Sequence, residues 1–480
     1  MFISLLRFFS CVYGINIQMT SRFLELRPDN VNSTAKISFK AGFPVLSFTI
    51  QSQAAILDPR SIRINGNLEV YRNNAVPPVP VQGQAGGDAH PVSMDNRLGI
   101  YAMWDQLVVR HNRTKQVVEH IRHYPRYMSS YLGLTSSKQD LIGHLGETAL
   151  MMPNAQAMLR NVVSSSVGRT AANGANKRPF SCHLPSGFSM SGNPINLMET
   201  SVGGFQIELH LSPDSNCLFS VDGTVDATNA DAHYQLSDLS LSCEVMDIPE
   251  DKMAEMASQT SGALDFNTIS TVYTSFNTGN AQLQYDVGLK NLQSVFMTFC
   301  PSKNINTLQQ NGLATYYPSE STGVRVDFRT VQFLRGGQKY PVDFDMVTNV
   351  EDAQNNAVAA PNGGTLATSD GQLVKQFAEA IIPEYALDRS SITPLNVNRN
   401  FTLAADGSTA ASYKQIPDGG GLFGIGMRYS QFGMGQDFST QQWGVSLDNK
   451  LLTDNPISTF IYFKNRSTLV FSPQGVQVLS

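Results

Sequence analysis

The segment RHNRTKQVVEHIRHYPR, residues 110–126, holds the chain's most pointed cluster of reactive and charged groups. Arg110, Arg113, Lys115, Arg122 and Arg126 face a single acid, Glu119, and His111, His120 and His123 lie among them. Such a density of cations suits an anionic partner: a nucleic acid, a lipid surface or an acidic patch on a neighbouring subunit. A solvated cationic face accounts for the same residues. Val117, Val118, Ile121 and Tyr124 are spaced as the buried stripe of a short helix ending at Pro125. On that helix His120 and His123 would lie near each other, but no third ligand is apparent and the cations around them repel a metal. The five cations are therefore candidates for contact with a neighbouring subunit or the inner surface of an assembly.

Other motifs carry less. GGGLFG (419–424) matches G-x-G-x-x-G at Gly419, Gly421 and Gly424, yet an alternating strand follows where a dinucleotide site needs a helix. Asp343 and Asp345 sit two apart on a strand and share its polar face, so they read as a solvated or interface face, not as a catalytic pair. VDGTVDATNAD (221–231) gathers Asp222, Asp226, Asn229 and Asp231 without the spacing or closing Glu of a calcium loop. Ser189 is flanked by glycines but not at nucleophile-elbow spacing, and neither G-x-S-x-G nor H-E-x-x-H occurs. No catalytic residue, metal ligand or cofactor is expected.

The elements that must carry these residues are mainly strands. SIRINGNLEVY puts Ile62, Ile64, Leu68 and Val70 on one face, with Gly66 in an inward slot that suits a bulge or a close crossing. Period-two alternation recurs at 45–51, 205–211, 234–245, 324–329, 422–429 and 458–471. In LFGIGMRY the inward residues would be Phe423, Ile425, Met427 and Tyr429. VQFLRGGQKYPVDFDM (331–346) reads as a hairpin turning at Gly336-Gly337. Further helical spacing occurs at 136–150, 249–258 and 371–382, the last stopped by Pro383. Long polar stretches at 73–97, 164–194 and 349–371 read as insertions without regular structure. The charged segment 247–263 separates two strand-rich halves of loosely similar layout, which suggests two all-β modules in tandem.

Composition narrows the class. A chain of 480 residues with 41% hydrophobic and 15% charged residues is a packed protein of more than one domain. A formal net charge of −5 does not favour a protein that coats nucleic acid. Five widely spaced cysteines with no CxxC pair argue against a zinc cluster or a disulfide framework. The first 18 residues are apolar with one Arg7, too short to span a bilayer and without the basic start of a signal peptide. A signal peptide, a misassigned start and an N-terminal arm stay open. Four sequons, at Asn32, Asn112, Asn400 and Asn465, would matter only in a secreted chain.

Five stretches resemble the double jelly-roll major capsid proteins of tailless icosahedral double-stranded DNA viruses. That group includes polinton-like viruses, virophages and large algal viruses, and more distantly the adenovirus hexon. FLELRPDNVNSTAKISFKAGFPVLSFTI is similar to the opening strands, and LDPRSIRINGNLEVYRN to the next strand with its Leu-Asp lead-in. YAMWDQLVVRHNRTKQVVEHIRHYP is similar to the segment that ends in a Glu-containing turn and a Tyr. FRTVQFLRGGQKYPVDFD and ISTFIYFKNRSTLVFSPQGVQVL resemble strands of the second barrel.

The resemblance implies an all-β chain of two tandem eight-stranded antiparallel jelly-roll sandwiches with long loop insertions and a few short helices. Residues 20–247 would form the first, 248–263 a linker helix and 264–480 the second, after an arm at 1–19. It implies a structural protein of the virion, not an enzyme, forming homotrimeric capsomers of pseudo-hexagonal outline that tile an icosahedral shell. Its partners would be copies of itself, neighbouring capsomers, minor or penton capsid proteins, and an internal membrane or cement proteins, with no specific contact to nucleic acid. A vertex, spike or carbohydrate-binding β-sandwich protein is the alternative. A jelly-roll enzyme is disfavoured, because neither paired carboxylates nor a His-His-carboxylate set is legible.

Overall fold

The computed structural model describes, brief interior gaps apart, residues 20–71, 92–151, 177–249, 251, 263–313, 328–340, 371–381, 424–449 and 456–479, with short strands at 346–347, 358–359 and 365–366. The first half contributes β1 Thr20–Leu26, β2 Val45–Ile50, β3 Ala55–Tyr71, β4 Val92–Met94, β5 Trp104–His111, β6 Val117–Arg122, β7 Arg178–His183, β8 Ile195–Asn196, β9 Phe205–Leu211, β10 Leu218–Ser220 and β11 His233–Asp247. One sheet runs β1-β11-β3-β7 with β8 also on β3, and the other runs β2-β9-β5-β6. Ile64, Leu68, Leu241 and Val245 from the first sheet share a core with Phe48, Leu107, Ile207 and Leu209 from the second. The alternation of FQIELHL is realised residue by residue: Phe205, Ile207, Leu209 and Leu211 are buried and the residues between them half-buried.

The second half repeats the plan with β12 Ala263–Phe276, β13 Asn280–Tyr285, β14 Leu292–Pro301, β15 Phe328–Arg335, β16 Gln338–Lys339, β17 Met346–Val347, β18 Val358–Ala359, β19 Thr365–Leu366, β20 Ile425–Arg428, β21 Trp443–Asn449, β22 Ile457–Ser472 and β23 Gly475–Leu479. Its sheets are β12-β22-β14-β20, with β23 on β22, and β13-β21-β15-β16, with β17 on β15. Val295, Met427, Ile461 and Phe463 pack against Leu283, Phe333, Trp443 and Val445 between them. Ile425, Met427 and Tyr429 are inward as expected, while Phe423 lies outside the described residues. The Gly336-Gly337 turn has φ of +56° and +85°, the left-handed values that a tight hairpin between twisted strands requires. Asp343 and Asp345 lie outside the described residues.

Two features of β3 follow from single residues. A Cβ at Gly66 would sit 2.6 Å from the Leu239 side chain and 3.0 Å from the Phe180 ring, so the inward slot is a close crossing that those side chains fill. The β3–β11 register shifts between Ser242 and Glu244, beside Pro59. Proline cannot donate to the ladder, and the Ser61 hydroxyl instead accepts the Glu244 N–H at 2.7 Å.

Several expectations are corrected. Residues 117–122 are the strand β6, not a helix, and Pro125 opens helix α1 Tyr124–Thr135 instead of ending one. Proline is suited to a first helical turn, where its missing N–H has no partner to lose. Within 136–150 the helix is α2 His144–Thr148. The stretch 164–194, read as an insertion, carries β7 and helix α3 Gly187–Met190, because Phe180 and Cys182 alternate inward inside a Gly/Ser-rich run. β4 lies in 73–97, and β18 and β19 pair within 349–371. Helix α4 spans Asp214–Cys217, and α5 Gly371–Ile381 falls where helical spacing placed it. Most of the 247–263 segment lies outside the described residues. No helix among the described residues is long and apolar enough to cross a membrane.

Candidate functional site

The outer face of the β12-β22-β14-β20 sheet does not meet solvent along its middle; it is buried against the first barrel. Phe460 and Tyr462 of β22 and Phe296 of β14 join the first barrel's core, with Tyr127 of α1 6.0 Å from Phe296 and 5.9 Å from Tyr462, centroid to centroid. FIYF in β22 is therefore apolar at consecutive positions because both faces of that strand are covered. Further contacts join the halves: Asn311 donates to Asp95 at 2.9 Å, and the Ser220 N–H donates to the Leu308 carbonyl at 2.6 Å.

Glu119 stands at the centre of this seam. It is 2% exposed on β6, sharing its strand face with Ile121. Its carboxylate accepts the Gly187 N–H at 2.9 Å, the Phe188 N–H at 3.0 Å and the Ile269 N–H at 2.8 Å. The first two open α3, and the third belongs to β12, the edge strand of the second barrel's sheet. An edge strand leaves its outward N–H groups without a ladder partner, and Glu119 supplies one. A Cβ at Gly187 would lie 2.7 Å from Glu119 Oε1, so glycine is what lets the helix start approach the acid. Burial raises the Glu119 pKa to about 7, outweighing hydrogen bonds that favour the charged form.

The turn after β6 extends the seam. His123 adopts a left-handed φ of +52°, packs edge-on to Phe460 at 4.7 Å and accepts the Tyr462 hydroxyl on its carbonyl at 2.9 Å. Arg126, also 2% exposed, donates to the Gly312 carbonyl and lies 4.1 Å over the Phe460 ring. A desolvated contact of this kind contributes up to roughly 2 kcal/mol.

The structure thus disperses the five cations. Arg126 is buried between the barrels. Arg110 pairs with Glu208 at 3.0 Å on the outer face of the β2-β9-β5-β6 sheet. Arg113 and Lys115 occupy the β5–β6 hairpin tip, Lys115 reaching Gln206 at 2.7 Å. Arg122 is exposed at the far end of β6. His120 bonds Gln106 at 2.8 Å and His123 faces the second barrel, so they do not converge. Burial and the neighbouring cations lower both to about 4.

The remaining motifs are structural. Gly424 admits the Phe377 ring of α5. The Ser189 hydroxyl is buried and donates to the Leu184 carbonyl at 2.8 Å. Asn229 closes its own loop through Thr224 and Asp226, and no metal-ligating group occurs among the described residues. Cys182, Cys217, Cys243 and Cys300 are buried free thiols. Asn465 is buried and bonds Ser467, so that sequon is inaccessible. Glu119 was read in sequence as a lone counter-charge; the signal for its true place is an acid sharing the Ile121 face of an alternating strand.

No protein-family model matches the sequence, and no curated protein matches it. Solved structures do. The capsid of the virus PBCV-1 superposes with a TM-score of 0.55 at 9% identity, covering 98% of this chain and 99% of that one. The Faustovirus major capsid protein gives 0.53 at 9% identity, over 96% of this chain and 92% of its own. A chain of the Sputnik virophage gives 0.54 at 9% identity, over 97% and 89%. Strand order, paired sheets and whole-length superposition agree that this chain has the double jelly-roll fold.

Proposed function

We propose that the chain is the major capsid protein of a tailless icosahedral double-stranded DNA virus, and that three copies form a capsomer of pseudo-hexagonal outline. The observation that carries this reading is the buried seam, which fixes two barrels of like plan against each other within one chain. Three such chains around a threefold axis present six barrels, a shape that tiles a shell, and closed cyclic symmetry is a common oligomer solution. The likeness to capsid chains over nearly the whole of this chain supports it. On this reading the protein acts by packing and not by catalysis. Its partners are its own copies, neighbouring capsomers and the minor or penton proteins that close the shell, together with cement proteins or an internal membrane.

The test is the solution mass of the purified chain by light scattering coupled to size exclusion. The reading expects three times the 52.5 kDa chain mass, stable on dilution, with hexagonal particles in electron micrographs. A monomer at every concentration overturns the capsomer while leaving the fold intact.

A further inference from the structure

A cavity of about 750 Å³ lies in the seam, walled by both barrels and by α5. Tyr127, Phe296 and Ile381 supply apolar wall, and Arg60, His183 and Lys464 supply nitrogen. No acid is among the described residues that line it. Its volume is in the range of pockets that enclose a small organic ligand.

Lys464 is the unusual member. It follows Phe460 and Tyr462 at period two on β22, a central strand, so its side chain leaves the outer face of the sheet into the seam. It is largely buried, and none of the described residues gives it a hydrogen bond or an ion pair. Burial, and secondarily the Arg428 guanidinium, hold its pKa below the ordinary range. An ammonium drawn from bulk water into a largely apolar seam with no acid among the described residues beside it is costly, and Leu or Met would suit the position better. Arg60 reaches the same cavity from the β3 irregularity beside Pro59, which turns that residue out of the ladder. Glu119 does not line the cavity, and three N–H groups engage its oxygens. His183 is held below its ordinary pKa by burial and adds a polar, mainly uncharged edge near neutrality.

We infer that this cavity binds a single-chain anionic amphiphile, its carboxylate or phosphate head between Lys464 and Arg60 and its alkyl chain along Tyr127, Phe296 and Ile381. The head supplies the charge that no described residue gives Lys464, and the chain fills volume that none of the described side chains occupies. The inference does not rest on the capsid reading, because the cavity lies within one chain.

The experiment is titration calorimetry on the full chain with decanoate, decyl phosphate, decanol and acetate, each below its micellar concentration. Saturable binding of decanoate or decyl phosphate at one site per chain is expected, and the tighter of the two names the head group. Decanol and acetate should each bind more weakly by roughly tenfold or more, since a charge-assisted hydrogen bond and the alkyl burial are separately removed. Lys464→Gln should lose the preference for decanoate over decanol. Arg60→Gln, at an exposed position, should weaken decanoate several-fold and serves if the Lys464 variant does not fold. Absence of saturable binding, equal affinity for decanol, equal affinity for acetate, or unchanged decanoate affinity in these variants overturns the proposal.

Discussion

At the scale of single residues, Glu119 couples the two barrels through one carboxylate, and its titration has a definite sign. The folded carboxyl keeps its proton to about pH 7, whereas an unfolded glutamate releases it near 4.5. Between those values the folded state binds more protons, so its contribution to stability is whole below about pH 4.5 and is lost as pH rises through 7. The loss amounts to at most about 3 kcal/mol. Urea midpoints of the wild type should therefore fall between pH 5 and pH 8 by more than those of Glu119→Gln, which cannot ionise; equal falls would refute this assignment. Glu119→Ala has a separate expectation. It orphans three buried N–H groups and should lower stability by roughly 3 kcal/mol or more at either pH, checked by the same midpoints. Arg126 behaves differently: its partners are a carbonyl and a ring, so its loss is a packing effect with little pH dependence.

At the scale of elements, α5 shows how a helix is fitted to a sheet of barrel width. It lies over β20, where Gly426 and the preceding Gly424 leave room for Phe377 and Ala380. A Cβ at Gly426 would lie 2.7 Å from the Ala380 Cβ and 3.1 Å from the Phe377 Cα. Gly426→Val should lift α5 from the sheet, costing roughly 1–3 kcal/mol by overpacking. Limited proteolysis should then cut at residues 371–381 faster than in the wild type, and an unchanged cleavage rate would count against the docking. Elements of this kind were legible in the sequence where one face is apolar and the period is clean, as in β9, β11, β22 and α5. β6 was misread because Val117, Val118, Ile121 and Tyr124 fit a helical stripe as well as a strand buried on two sides. β7 was hidden by the Gly/Ser-rich run before it, since six residues with two inward positions make a weak signal. The seam was the least legible part. Lys464 and Glu119 look solvent-facing in a one-dimensional pattern, and only the meeting of two sheets from distant segments buries them. Gly66 was readable for the opposite reason: its inward slot breaks an otherwise regular row.

At the scale of the molecule, the dispersal of the cations changes what a charge-removal experiment should show. Arg113 and Lys115 at the hairpin tip and Arg122 at the opposite end of β6 are separated by roughly 20 Å of strand, so they cannot form one patch. If they contact neighbouring subunits, Arg113→Gln with Lys115→Gln should reduce assembly while leaving the melting temperature within about 2 °C, because exposed charges contribute little to stability. Assembly at wild-type yield would return them to solvent. The seam makes a second demand on the whole chain: two barrels joined by a shared core should unfold together. The sequence provides a natural probe, since its two tryptophans fall one to each barrel, Trp104 in the first and Trp443 in the second, and both are fully buried. Trp443→Phe leaves fluorescence reporting on the first barrel and Trp104→Phe leaves it reporting on the second. Far-ultraviolet circular dichroism of the same variant reports on both. At one fixed protein concentration, so that self-association acts equally, fluorescence and dichroism midpoints should coincide in each variant. Coincidence would mean that the Phe460, Tyr462 and Glu119 contacts transmit unfolding from one barrel to the other. Separate midpoints would mean that the barrels are stable apart, and that the seam only orients them.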